Sequence, residues 1–110
     1  MTTLEILKGA RELLSDPARW TQGAAARDKN GFVIDIDEIS ERRADVARVS
    51  INGAIELVDP DRSLEDEELS ELFGLPEEVN VLDWEDVQGR THAEVLARFD
   101  EAIARLEVQS

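Results

Sequence analysis

Between Glu56 and Asp86 the chain carries thirteen acidic residues and a single base, Arg62. A block of that sign repels itself in any compact state, so it must lie on a solvated face or meet a basic partner. Burial in this stretch is left to a few residues: Leu64, Leu69, Leu72 and Phe73 before the break at Leu75-Pro76, and Val79, Val81, Leu82 and Trp84 after it. The remainder is close to neutral, with +1 over residues 1–34, −2 over 35–55 and −1 over 87–110. The net charge of −14 is therefore one local feature.

Twelve basic residues against 26 acidic ones argue against a nucleic-acid reader, which needs Lys and Arg to displace phosphate counterions. The 110 residues fit one compact domain, 1–110, because two cores of half that size would be marginal. Scaling relations put roughly two thirds of the extended chain's surface out of water on folding, enough for an ordinary core. No cysteine is present, so disulfides, thiolate metal sites and thiol nucleophiles are excluded and a reducing, cytoplasmic setting is expected. No apolar run approaches the ~18 residues of a membrane helix, and Met1 to Ala10 lacks the basic start and apolar stretch of a signal peptide.

The periodicity predicts a mainly helical α+β chain. A first helix is capped by Thr2 with Glu5 reaching back, buries Leu4, Ile6, Leu7, Ala10, Leu13 and Leu14, and stops near Ser15. Asp16-Pro17 can restart a short turn through Trp20. Asn30-Gly31 suggests a type I′ hairpin between Ala24–Arg27 and Phe32–Ile36. A central helix is expected over 37–58, or from an N-cap at Asp45, with Gly53 marking close packing against the C-terminal helix. Ser63 with Asp66 should cap a short acidic helix that Gly74 ends, and residues 79–84 read as extended or irregular. Thr91 and Glu94 form a second capping box for a C-terminal helix packed on the central one. Its apolar stripe runs from Val95 to Leu106, with Glu94/Arg98 and Glu101/Arg105 as exposed i,i+4 pairs.

Several blocks then combine: Trp20-Thr21-Gln22-Gly23-Ala24, Asp45 to Ile55 with Arg48 and Gly53, Trp84, and Gly89-Arg90-Thr91-His92-Ala93-Glu94-Val95-Leu96 with Asp100 and Ala102-Ile103. Together they resemble a family of small uncharacterised proteins of actinobacteria and their bacteriophages. The resemblance implies a bacterial or phage, cytoplasmic origin and a recurring set of Trp, Gln and His positions, with no activity attached. This chain departs from that pattern in having Val49-Ser50 where relatives commonly carry Trp-Cys, Trp84-Glu85-Asp86 where they often carry Trp-Asn-Asp, and a heavier acidic block.

Candidate sites follow from residue chemistry. Gln22, Ser50 and His92 would make a hydrolase-like set, with His92 as base, Ser50 as nucleophile and Gln22 at an oxyanion, although no Gly-x-Ser-x-Gly elbow is present. Trp20, Gln22, Trp84 and His92 could line a pocket for a planar ligand, against the plainer role of tryptophans as core residues. His92 is the only histidine, which leaves at most a carboxylate-rich metal site with Glu85, Asp86 or Glu94. Asp59-Pro60-Asp61-Arg62-Ser63 begins like a calcium loop but fails at Leu64, where Gly is required, and at Ser70, where a bidentate Glu should stand. No cofactor and no metal are expected. The expected function is a small acidic binding module or inhibitor that meets a basic protein, with a host protein as partner in a phage setting. Asp61, Glu65, Asp66, Glu67, Glu68, Glu71, Glu77 and Glu78 are its contact residues. The alternatives are the Trp/Gln/Ser/His hydrolase or ligand binder, and a nucleic-acid mimic.

Overall fold

A computed structural model describes residues 2–109. The first helix, α1 (Thr3–Leu13), begins as its sequence requires: the Thr2 hydroxyl accepts from the Glu5 amide at 3.1 Å and the Glu5 carboxylate accepts from the Thr2 amide at 2.9 Å. Two of the four donors that a helix start leaves without partners are thereby satisfied. Its buried side, Ile6, Leu7 and Ala10 with Leu14 just beyond, lies against both α2 (Ile51–Val58) and α5 (His92–Gln109). A 3-10 turn at Pro17–Arg19 follows, capped by the Asp16 side chain as its position before proline suggests.

The chain then forms a sheet of three two-residue strands, β1 (Ala26–Arg27), β2 (Val33–Ile34) and β3 (Arg48–Val49), antiparallel in the order β2-β1-β3. Register pairs Ala26 with both Ile34 and Val49, and Arg27 with both Val33 and Arg48. The first row is buried and the second is not, so slipping by one residue would drive two arginines into the core. The hairpin predicted at Asn30-Gly31 is present, but its turn is not type I′, which needs positive φ at both residues. Only Gly31 is left-handed, at φ +87°, and the Gly31 amide bonds the Asp28 carbonyl. The Asp28 carboxylate also accepts from the Asn30 and Phe32 amides, and these side-chain bonds favour a three-residue loop over the two-residue one.

The expected central helix over 37–58 is corrected, as is its alternative start at Asp45. Residues 36–50 instead make 3-10 turns at Ile36–Glu38 and Arg43–Asp45 and then β3, and only α2 is helical. The dense apolar residues between Val46 and Val58 belong to two elements. Val49 serves the sheet, while Ile51, Ala54, Ile55 and Leu57 serve the helix, with Ser50 between them as N-cap, its hydroxyl accepting from the Gly53 amide. Gly53 does mark a close approach, but to the backbone leading into β1 rather than to α5. The C-terminal helix packs chiefly on α1, not on the central helix.

The acidic segment forms α3 (Asp66–Leu72), with Glu65 at the cap position rather than Ser63. Ser63 donates to Asp59, whose second oxygen accepts from the Leu64 amide, so Asp59 organises the turn. Gly74 ends α3 at φ +71°, with its amide on the Glu71 carbonyl and the Leu75 amide on the Ser70 carbonyl. Residues expected to be irregular form α4 (Val81–Glu85), capped by the Asn80 side chain on the Asp83 amide. The Thr91/Glu94 box is in place on α5, but the predicted i,i+4 pairs are replaced. Arg98 and Arg105 instead reach the carbonyls of Phe73 and Leu72, where the negative end of α3 lies. Phe99 meets Phe73 edge-on at 5.1 Å beneath them. The architecture is α+β and mainly helical, with five α-helices and one three-stranded sheet among the described residues.

Candidate functional site

Three of the thirteen block acids, Glu56, Asp59 and Glu85, are buried, and the other ten lie exposed. The exposed ones include every acid expected to meet a partner, and none of these forms an ion pair. They differ in their relation to one cleft. Glu65 and Asp66, at the start of α3, line a cleft of about 690 Å³, whereas Asp61, Glu67, Glu68, Glu71, Glu77 and Glu78 lie outside its walls.

The cleft is built by the junction of hairpin and helices. Val33 of β2 with Asp35 and Ile36 just after it, Asn52, Ile55 and Glu56 of α2, and Leu64, Glu65, Asp66 and Leu69 line it. Leu82 and Asp86 also line it. Its single base, Arg62, is committed: Nε lies 3.1 Å from both Glu56 oxygens and a terminal nitrogen lies 2.9 Å from Asp37. Asp59 is spent on Ser63 and Leu64, and Asp86 accepts from the Gly23 amide at 3.1 Å. Asp35, Glu65 and Asp66 remain exposed and unpaired beside apolar side chains. Val33 and Leu82 are about half exposed within this cleft, and Phe32 stands out beside it. The arrangement suits a group that carries positive charge and an apolar body together.

Gln22, Ser50 and His92 make no hydrogen bond to one another. The Ser50 hydroxyl is 1% exposed and occupied, accepting from Gly53 and donating to the Ala25 carbonyl at 3.3 Å. His92 Nε2 donates to the Leu14 carbonyl at 2.6 Å, tying the start of α5 to the end of α1. The Gln22 amide donates to the carbonyls of Glu85 and Val87, at 2.6 and 3.2 Å. The Gln22 amide nitrogen, the Ser50 hydroxyl and His92 Nε2 are thus each engaged in holding the fold.

Trp20, Gln22 and His92 do gather at the end of α4, the Trp20 and His92 rings lying 6.2 Å apart, but none of them lines the cleft. Trp84 is buried beneath Arg90, whose guanidinium lies 4.1 Å from its ring centroid. Among the described residues no cluster of three His, Asp or Glu side chains is disposed to hold a metal ion.

The residue that organises this region, Glu85, was not singled out as such by sequence. Its carboxyl is fully buried, and Oε2 accepts from Trp20 Nε1 at 2.8 Å and from the Ile51 amide at 2.9 Å, while buried Oε1 has no hydrogen-bond partner among the described residues. Burial pushes this carboxyl up to about 7, against the two hydrogen bonds and aided by the neighbouring charge of Asp86. Glu85 thus joins α4, α2 and the Trp20 segment, and Asp86, the next residue, stands in the cleft.

Fold and cleft define a small α+β protein with an anionic groove that also presents apolar side chains. The chain belongs to a family of unknown function, DUF6197, whose family model matches residues 1–105. No curated protein and no solved structure matches it.

Proposed function

We propose that the protein is an acidic binding module whose cleft takes an amphipathic, positively charged segment of a partner protein. The observation that carries this reading is the cleft itself. Asp35, Glu65 and Asp66 face solvent without partners beside Val33, Ile55, Leu69 and Leu82, and the one arginine present is neutralised by Glu56 and Asp37. Lys or Arg side chains would pair with the carboxylates while adjacent apolar residues cover Val33, Ile55, Leu69 and Leu82. The remaining acids of α3 and the following loop would attract the partner from a distance. On the resemblance to actinobacterial and phage proteins, we place the module in the cytoplasm, with a host protein as its partner.

A synthetic peptide of alternating Arg and Leu, followed by fluorescence anisotropy, tests the assignment. Replacing Asp35, Glu65 and Asp66 together by Lys is expected to weaken binding by about 100-fold, because contacts inside the groove are lost and repulsion replaces them. Replacing Glu67, Glu68 and Glu71 by Lys should slow association several-fold at low salt and leave dissociation nearly unchanged, as expected for steering charges outside the contact. Equal effects of the two triple variants would remove the cleft from the proposal. No effect of either would remove the proposal.

A further inference from the structure

A second cleft, of about 450 Å³, opens on Arg19, Arg43 and Arg48, with Leu13, Val46, Val49 and Leu57 as apolar lining and no carboxylate among its walls. In a chain of net charge −14 this is an unusual collection. The other cations are nearly all committed. Lys8, Arg11, Arg42, Arg62, Arg90 and Arg98 are ion-paired, and Arg27 and Arg105 bind protein oxygens. Apart from Lys29, which does not line the cleft, the only basic side chains among the described residues with no partner are these three arginines. They come from three places in the chain, the Pro17–Arg19 turn, the Arg43–Asp45 turn and β3, and the fold brings them to one opening.

We propose that this cleft binds a small organic acid, an apolar body carrying one carboxylate or phosphate. Guanidinium groups suit such heads because each offers two parallel N–H donors to a pair of acidic oxygens. The lining from α1, β3 and α2 supplies an apolar bed, and the volume lies within the range of small-molecule sites. A concave site favours a compact ligand over another copy of this chain. The surrounding charge of −14 repels a polyanion such as nucleic acid far more strongly than a singly charged molecule. The site shares no lining residue with the acidic cleft, so it stands independently of the function proposed above.

The test is isothermal titration of the protein with decanoate, decyl phosphate and decanol, each below its micelle-forming concentration. At least one of the two anions should bind, and decanol should bind at least about tenfold more weakly, since only the head group differs. Arg43→Gln combined with Arg48→Gln should weaken the anion by at least about tenfold, while Lys29→Gln, which removes the same kind of charge outside the cleft, should change it less than about twofold. The three guanidinium groups make no bond among the described residues, so the variants are expected to keep the native circular dichroism spectrum. Should the double variant fail to fold, Arg19→Gln alone must show the weakening. Absence of binding by both anions, equal binding of decanol, or equal losses from Lys29→Gln and the arginine variants would overturn the proposal.

Discussion

Gly53→Ala is expected to cost about 2–4 kcal/mol of stability and to lower the thermal midpoint by about 10–25 °C, although it places a better helix former inside a helix. Taken alone, that exchange favours folding by about 1 kcal/mol. Here the added methyl would stand 1.9 Å from the Ala25 carbonyl oxygen and 3.0 Å from its carbon, and both atoms belong to backbone. Neither can step aside cheaply, because the Ala25 carbonyl accepts from the Ser50 amide at 3.0 Å and from the Ser50 hydroxyl at 3.3 Å, and that hydroxyl also caps the Gly53 amide. Relieving the overlap therefore separates α2 from β1 and disturbs three hydrogen bonds worth about 1 kcal/mol each. Two other glycines calibrate the effect in the same melting experiment. A methyl at Gly9 would meet only the side chain of Val58, at 3.1 Å or more, and Gly9→Ala should leave stability within about 1 kcal/mol of the parent. Gly31→Ala meets nothing within 4 Å but imposes a side chain on φ +87°, which should cost about 1–2 kcal/mol. Stability of Gly53→Ala equal to that of Gly9→Ala would contradict the close approach on which the junction of sheet and α2 rests.

That junction is also where reading along the chain stopped being informative. The ends of α1 and α5 were legible because a capping box is local: Thr2 with Glu5 and Thr91 with Glu94 carry both halves of the bond within four residues. Gly74 was legible for the same reason, since a left-handed helix stop needs no distant partner. The segment from Val46 to Val58 was not. Its apolar residues are dense enough to imitate one buried helix, and the division at Ser50 depends on β3 pairing with β1 some twenty residues earlier. The helix α4 was not read, because the short apolar run after Asn80 fits a strand as well as a helix. The acidic surface followed from counting charge, and the eight acids expected to meet a partner are indeed exposed. The groove did not follow, because Val33 and Asp35 lie far from Leu82 in the chain and meet it only in the folded state. Nor could the composition separate Glu85, which is buried, from its exposed neighbour Asp86.

Glu85 should give the protein a pronounced loss of stability through the neutral pH range. In the unfolded chain its carboxyl titrates near the ordinary value of 4.5, and in the fold burial raises it to about 7, so the native state holds a proton that the unfolded state has released. Stability from this source is fully present below about pH 4.5, declines as pH rises, and is gone above about pH 7, with a full span of about 3 kcal/mol. Most of that span falls between pH 5 and pH 8. The surrounding carboxylates make the parent protein's own pH profile a composite, so the informative quantity is the difference from Glu85→Gln. Glutamine retains an oxygen for the Trp20 and Ile51 donors and cannot ionise. In urea unfolding the parent should gain on the variant by about 2–3 kcal/mol when the pH is lowered from 8 to 5, and the Trp20 indole N–H resonance should shift with a midpoint near pH 7 in the parent and not in the variant. Parallel stability profiles, or an indole resonance indifferent to pH, would mean that Glu85 stays ionised in the fold. The consequence reaches the cleft through the chain itself. Charging Glu85 places an uncompensated anion where α4, α2 and the Trp20 segment meet, immediately before Asp86, whose carboxylate holds the Gly23 amide at the edge of the acidic cleft. Loosening that junction should relax the wall formed by residues 23–25 before it affects α1 and α5, which are joined separately by His92 on the Leu14 carbonyl and Arg11 on Asp100. Hydrogen exchange at pH 8 should accordingly be faster at the amides of Gly23 and Ile51 in the parent than in Glu85→Gln, with protection in the middle of α5 the same in both.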